Sequence, residues 1–344
     1  MKYAIVFGGM SYEHEISIVS AIALKDVLKR ELLFIFCDAA REFYLIPASK
    51  MKSKLFSSGE YRKEAKLTLK NGGFYQKALM KEKKIDFDVA VNLVHGGDGE
   101  DGKLAALFTF FGIPFIGPRI EASVLSFNKL YTKWYAAELG VKTVAYEVLH
   151  KGEYNVSTPC PFIIKPLRLG SSIGVSIVKE ERELSYALDV AYEFDDAVLI
   201  EPFIEGVREY NLAGCKAGDN YLFSIVEEPH KEEFLDFDKK YLDFSRTQQV
   251  LAADISDALK KRLHEAFQKI YNTHFEGALI RCDFFVIDDE IYLNEINPIP
   301  GSYANYLFED FSTVMDTLAK HLPKERKIPV DYTYIDSIQK AKGK

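Results

Sequence analysis

Residues 3–7 form an unbroken apolar run that ends at Gly8-Gly9. A run of that kind predicts a buried parallel strand rather than a half-exposed one. Beyond the glycines, Ile18, Ala21, Ile22, Val27 and Leu28 recur at helical spacing, which predicts a helix over residues 17–30. Strand, Gly-Gly and helix in that order open an α/β unit. The glycines lack the G-x-G-x-x-G spacing of a dinucleotide fold. Glu13 lies in the loop before the helix, so it is either a dipole partner or a site carboxylate. Residues 40–84 are polar and show no clear period. Residues 88–94 predict a second buried strand, followed by His95-Gly96-Gly97-Asp98-Gly99-Glu100-Asp101-Gly102 and a helix over residues 103–111. Glycines beyond the carboxyl end of a strand in an open α/β sheet stand where ligands bind. His95 is either a polar site residue or a structural loop histidine. Residues 112–118 predict a short strand that closes the unit, with a boundary at Gly117-Pro118.

The second half changes character. A helix is predicted over residues 123–139, carrying Lys129 on its first turns, where a lysine is ordinarily solvated. Residues 161–166 read as a strand that places Lys165 at its end. The loop Gly170-Ser171-Ser172-Ile173-Gly174 follows, and a strand over residues 175–178 comes next. This is not a Walker A motif, yet small residues with free N–H and O–H groups can fold over phosphates. A strand over residues 197–200 ends in Glu201-Pro-Phe203-Ile204, and an acid beside apolar residues at a strand end suits a purine slot with a ribose acceptor. Residues 227–249 are polar and contain Lys240-Tyr241. A loop of that length inside a domain is a lid or is disordered. Helices are predicted over residues 254–275 and 311–322, and the charged tail beyond is expected to fray.

Between those helices lies the stretch richest in chemistry. Residues 282–287 and 291–296 predict two strands around the acidic turn Asp288-Asp289-Glu290. With the turn centred on Asp289, Asp283 faces Glu295 and Arg281 faces Asn297. Two opposed carboxylates repel unless something positive sits between them, and a hard divalent cation with oxygen ligands meets that need. A two-residue turn would move one strand's polar set to the other face. The alternative is a solvated amphipathic edge hairpin.

Composition narrows the classes. The chain has 344 residues, 48% hydrophobic and 28% charged, enough for two or three globular domains. A net charge of −7 argues against nucleic acid as a partner. Cys37, Cys160, Cys215 and Cys282 are scattered without metal spacing, as expected of reduced thiols in a cytosolic protein. No apolar run approaches the roughly 20 residues that span a bilayer, and the N-terminal run is too short for a signal segment.

Taken in order, Gly8-Gly9, Glu13-His14-Glu15-Ile16-Ser17, Leu93-Val94-His95-Gly96, Lys165-Pro, the 170–174 loop, Lys240-Tyr241, Arg281-x-Asp283 and Glu295-x-Asn297-Pro…Gly301 resemble the D-alanine–D-alanine ligase family of the ATP-grasp superfamily. The resemblance spans nearly the whole chain. It implies an α/β protein, α+β in its clamp domains. Residues 1–117 would form an N-terminal open-sheet domain, and residues 118–204 and 205–344 would clamp ATP between two sheets, with 227–249 as a mobile lid. It implies ATP as co-substrate and two Mg²⁺ ions, with Mn²⁺ able to substitute, held by Asp283, Glu295 and Asn297. Lys129 and Lys165 would hold the α- and β-phosphates under the Ser172 loop, with Lys240 near the γ-phosphate. Glu201, Phe203, Ile204, Glu209, Phe285 and Leu293 would form the adenine and ribose pocket. Glu13 would pair with the first D-alanine ammonium, linked to Ser171 and Tyr241, and His95 would sit near that substrate's carboxylate. Arg281 would meet the oxyanion, and backbone at Gly301 would hold the second carboxylate.

Two departures stand out. Tyr306 replaces a small hydroxyl residue, and the loop from Phe203 to Glu209 is one residue longer than the family pattern. The intact Lys240-Tyr241 pair favours a dipeptide product over D-lactate as acceptor. The expected protein is a cytoplasmic homodimer acting on small molecules in peptidoglycan precursor synthesis. The rival readings are another ATP-grasp carboxylate–amine ligase, an α/β nucleotide-binding oxidoreductase or regulator, and an inactive homologue.

Overall fold

The computed structural model describes residues 1–77, 81–229, 251–272, 274–324 and 326–341. Its first apolar run becomes β1 (Lys2–Gly8), with Tyr3, Ala4, Ile5, Val6 and Phe7 wholly buried. β2 (Glu31–Cys37) and β7 (Val89–Asn92) flank β1 in parallel, and β8 (Phe115–Ile116) continues in parallel beyond β7. The polar stretch without a period extends the same sheet on its other side. β3 (Phe43–Ile46), β4 (Ala65–Lys70), β5 (Gly73–Lys77) and β6 (Glu82–Lys84) add antiparallel strands, giving the order β6-β5-β4-β3-β2-β1-β7-β8. These strands are short and partly exposed, so their alternation is too brief to read against the surrounding charges. The first helix runs His14–Val27, three residues earlier than its apolar spacing suggests, and Glu13 occupies its N-cap position. Ser17 on that helix accepts from the Gly8 N–H at 2.8 Å and donates to the Leu93 carbonyl at 2.5 Å. One buried hydroxyl thereby ties the ends of β1 and β7 together.

Two four-stranded antiparallel sheets follow. The second sheet contains β9 (Glu147–His150), β10 (Phe162–Pro166), β11 (Ser176–Val178) and β12 (Ala197–Pro202), in the order β11-β10-β12-β9. The helix Leu184–Tyr192 covers it with Ala187, Leu188 and Ala191. The third sheet contains β13 (Arg208–Ala217), β14 (Asn220–Glu227), β15 (Ile280–Ile287) and β16 (Glu290–Asn297), in the order β14-β13-β15-β16. The helix Asp257–Tyr271 buries Leu263, Phe267, Ile270 and Tyr271 against it, and ends four residues short of the predicted boundary.

The hairpin β15–β16 corrects one expectation in an instructive way. Its turn is the two-residue Asp288-Asp289, both at positive φ, and Ile287 pairs with Glu290. Such a turn by itself would put Glu295 on the core face. A bulge at Asn294 inserts one residue between the Phe284–Leu293 and Asp283–Glu295 pairs. Beyond it Asp283 faces Glu295 and Arg281 faces Asn297, the pairing expected from the sequence. The extra residue re-aims the acids, a common use of a bulge beside a site.

The helix predicted over residues 123–139 is two helices, Ile120–Phe127 and Lys129–Glu138. Asn128 between them is extended, and its side chain accepts from the N–H groups of Leu130 and Tyr131. The break makes Lys129 the first residue of its helix. The final helix is Phe311–Lys320, and an exposed helix Ile335–Ala341 lies in the tail expected to fray. Among the described residues, no helix is long and apolar enough to cross a membrane. Asn128→Ala is expected to cost about 1 kcal/mol in urea denaturation, the usual loss for an N-cap, while Asn128→Asp restores most of it.

Candidate active site

The candidate site forms where the loops after β1 and β7 meet the β10–β11 loop and the hairpin end. Glu13 is only 4% exposed. Its Oε1 accepts from the Ser171 hydroxyl, and its buried Oε2 has no hydrogen-bond partner among the described residues. Glycines let this happen. A Cβ at Gly96 would stand 2.5 Å from Glu13 Oε2, and one at Gly170 would stand 3.1 Å from Oε1. Gly96 also has φ +68°, where an L side chain is strained. Burial pushes the Glu13 carboxyl up to about 7, with Glu100 adding to the rise and the Ser171 hydroxyl opposing it.

His95 is buried beside it, 3% exposed. Its Nε2 lies 3.1 Å from Ser20 Oγ and its Nδ1 3.6 Å from Glu100 Oε1. Burial lowers its pKa to about 4, so the ring is neutral at ordinary pH. Burial raises Glu100 to about 8, although the Gly96 N–H and Lys129 oppose the shift.

A narrow cleft joins Glu100, Lys129, Gly170, Asn294, Glu295 and Asn297. Lys129 donates from one wall to the Leu169 carbonyl. Lys165 on β10 donates to Glu201 at 2.7 Å and reaches Asn294 on β16 at 3.3 Å, so it spans the second and third sheets. Glu201 is not open at a strand end. It is 2% exposed and held by both Lys165 and Lys133. Burial alone would raise its pKa, and the two ammonium groups reverse that into a net lowering. Phe203 and Ile204 are half-buried just beyond β12, and the Phe203 N–H donates to Pro161. Ser172 adopts φ +57° in the loop beneath. A more open depression of about 400 Å³ beside Arg168 and Asp195 contains none of the predicted residues.

On the third sheet, pairing aligns Glu209 with Phe285 and Asn211 with Asp283. Leu293 pairs with the core residue Phe284 and is itself fully buried. Arg281 forks onto Asp283 at 2.7 and 2.8 Å, and Asn297 donates to the same carboxylate at 3.0 Å. Burial pushes the Asp283 carboxyl up, and the Arg281 guanidinium pulls against it. Tyr306 places its hydroxyl 3.5 Å from Arg281. Gly301 opens the turn Gly301–Leu307, in which Ser302, Tyr303 and Ala304 all have positive φ. Among the described residues no three His, Cys, Asp or Glu side chains group as a metal centre. The candidate set is two opposed carboxylates with an amide, all oxygen donors, which fits a hard cation such as Mg²⁺. Lys240 and Tyr241, with nearly all of the 227–249 segment, lie outside the described residues.

Sequence reasoning missed Glu100, Lys133 and Asn294. Lys133 had a signal, because it stands one helical turn from Lys129 on the same face. Glu100 stood in the glycine loop five residues after His95. Asn294 had none, since a bulge leaves no mark on composition.

A mixed α/β sheet followed by two antiparallel sheets joined through Lys165 and Asn294 defines a ligase of the ATP-grasp type. The D-ala D-ala ligase N-terminus family model matches residues 2–118, and the C-terminus model matches residues 136–315. The chain is 64% identical to the D-alanine–D-alanine ligase of Wolinella succinogenes over the full length of both. It is 61% identical to that of Campylobacter lari, again over both whole chains. The crystal structure of the Helicobacter pylori D-alanine–D-alanine ligase superposes with TM-score 0.86, at 52% identity, covering 95% of this chain and 100% of that one. The VanG D-Ala:D-Ser ligase of Enterococcus faecalis superposes with TM-score 0.74 at 26% identity, covering 93% and 98%. This chain belongs to the D-alanine–D-alanine ligase family, and it is an ATP-using ligase.

The raised Glu13 carboxyl gives a signed pH dependence. Its contribution to stability is present below the unfolded value of 4.5 and is lost as pH rises through about 7. Glu13→Gln is therefore expected to lose less stability than the parent between pH 5 and 7.5, by about 2 kcal/mol in denaturant titrations at the two pH values.

Proposed function

We propose that the enzyme joins two D-alanines into D-alanyl-D-alanine at the expense of ATP, for peptidoglycan precursor synthesis. The observation that carries this reading is the buried Oε2 of Glu13, without a hydrogen-bond partner among the described residues, a place suited to a cation brought by the substrate. An amino-acid ammonium supplies it, and the carboxyl then ionises against that charge. His95, neutral and fixed by Ser20, stands by to receive the carboxylate end. Lys129 and Lys165 hold the phosphates, with Ser172 in the loop above them. Phe203, Ile204 and Phe285 line the adenine, with Glu209 toward the ribose; Leu293, expected there from the sequence, instead packs with Phe284 on the core face of the sheet. Glu201 acts through its lysines, holding Lys165 in place. Asp283, Glu295 and Asn297 hold magnesium, which when bound spreads the charge developing on the transferring phosphoryl group.

A carboxylate oxygen of the first D-alanine bonds to the γ-phosphorus and ADP leaves. The amine of the second D-alanine bonds to the acyl carbon of the D-alanyl phosphate, phosphate leaves, and the amine proton passes to solvent. Arg281 stabilises the tetrahedral oxyanion of that step, oriented by its fork on Asp283. Backbone at Gly301 takes the second carboxylate, and Tyr306 narrows that subsite. Lys240 is assigned to the γ-phosphate and Tyr241 to the link with Ser171. The domains divide at 1–117, 118–204 and 205–344, and the enzyme works as a cytoplasmic homodimer.

The test is phosphate release from Mg-ATP with D-alanine, L-alanine, or D-alanine plus D-lactate, with product masses. Release that requires D-alanine and yields the dipeptide mass is expected. Release only with another acid–amine pair would replace the substrate and keep the ligase. Glu295→Gln is expected to lose at least a thousandfold in turnover with an unchanged unfolding midpoint; unimpaired turnover would remove the metal assignment.

A further inference from the structure

Ser20 is 0% exposed on the first helix, two turns past Glu13, and no step above uses it directly. Its hydroxyl makes two long-range contacts. The ring Nε2 of His95 lies 3.1 Å away, and the backbone N–H of Ser302 donates to Oγ at 3.2 Å across 282 residues of chain. A hydroxyl offers one proton and two lone pairs, so it can accept from Ser302 while donating to His95. That arrangement requires a neutral ring with its proton on Nδ1. The lowered His95 pKa agrees with a neutral ring, and the ring also makes a hydrogen bond to the backbone of Ile299. Ile299 and Ser302 bracket Pro300-Gly301. His95 therefore clips one side of that dipeptide and Ser20 clips the other.

The clip matters because the backbone here is strained. Ser302, Tyr303 and Ala304 hold φ of 49°, 55° and 49°, a left-handed run that L residues do not keep unaided. The buried Tyr303 hydroxyl donates to the Asn92 carbonyl at 2.7 Å and anchors the far side. On the near side, next to Gly301, Ser20 adds a tie from the first helix to the turn's own bonds, Tyr303 N–H to the Pro300 carbonyl at 2.7 Å and Asn305 Nδ2 to the Ser302 carbonyl at 3.0 Å.

We propose that Ser20 is a positioning residue that fixes the Gly301 backbone relative to His95, and so holds the second amino-acid subsite in register with the first. The proposal rests on the ligase reading above. It makes Ser20, on the first helix, a determinant of acceptor binding.

The test is steady-state kinetics of Ser20→Ala, Ser20→Thr and Ser20→Cys in the full chain, resolving KM for the first D-alanine, the second D-alanine and ATP. Ser20→Ala is expected to raise KM for the second D-alanine about tenfold, the loss of one buried hydrogen bond, and to leave KM for ATP within about twofold. The first D-alanine KM should move less than the second. Ser20→Thr keeps the hydroxyl and is expected to restore most of the acceptor KM. Equal rises in all three constants, or no rise in the second, would overturn the proposal. If Ser20→Ala does not fold, Ser20→Cys, with a weak donor of similar size, must show the same selective rise. A parent enzyme that makes no dipeptide would overturn the ligase reading instead, so the two failures are distinct.

Discussion

Charge removed from water must find a partner, and the centre of this protein is arranged around that requirement. Glu201 sits at 2% exposure because Lys133 and Lys165 both reach it. Asp283, equally buried, is held by the Arg281 fork and the Asn297 amide. Removing one partner of such a set leaves an uncompensated buried charge, which costs far more than a surface pair returns. The three elements that carry the first set, the Lys129–Glu138 helix, β10 and β12, are thereby locked to each other. Lys165 extends the lock to β16 through Asn294.

Other acids at the centre are less fully compensated. Glu13 is buried and Glu100 part-buried, and their carboxyls are raised chiefly by desolvation. Glu295 faces Asp283 directly, so the end of the hairpin carries two acids on one face. These are the places where a substrate ammonium or a metal ion lowers the energy most. The fold holds its own ions tightly where it needs rigidity and leaves acids poised where it needs ligands.

Loop geometry then decides which of these groups meet. Gly96 and Gly170 let two loops close on the Glu13 carboxylate, where any side chain would collide. Ser17 and Ser20, one turn apart on the same helix, carry two separate ties. Ser17 joins the ends of β1 and β7, and Ser20 joins the β7 loop to the Gly301 turn. A single helical face thereby ties together segments up to 282 residues apart in sequence.

The local patterns were legible in the sequence. The apolar run of β1, the glycine loops, the aromatic hairpin and the ordered motifs were enough for the α/β class, the family resemblance and most candidate residues. Short-range physics governs these features, because strand burial, helical spacing and glycine turns depend on neighbours a few residues away. The antiparallel extension β3–β6 was not legible, since strands of three to six residues with exposed faces carry too little alternation. The break at Asn128 hid inside a continuous helical period. The Asn294 bulge, the Lys133–Glu201 pair and the Ser20 tie were decided by tertiary structure alone. The last two join groups far apart in the chain, which only the packed fold brings within hydrogen-bonding distance, and the bulge is a register shift within one hairpin.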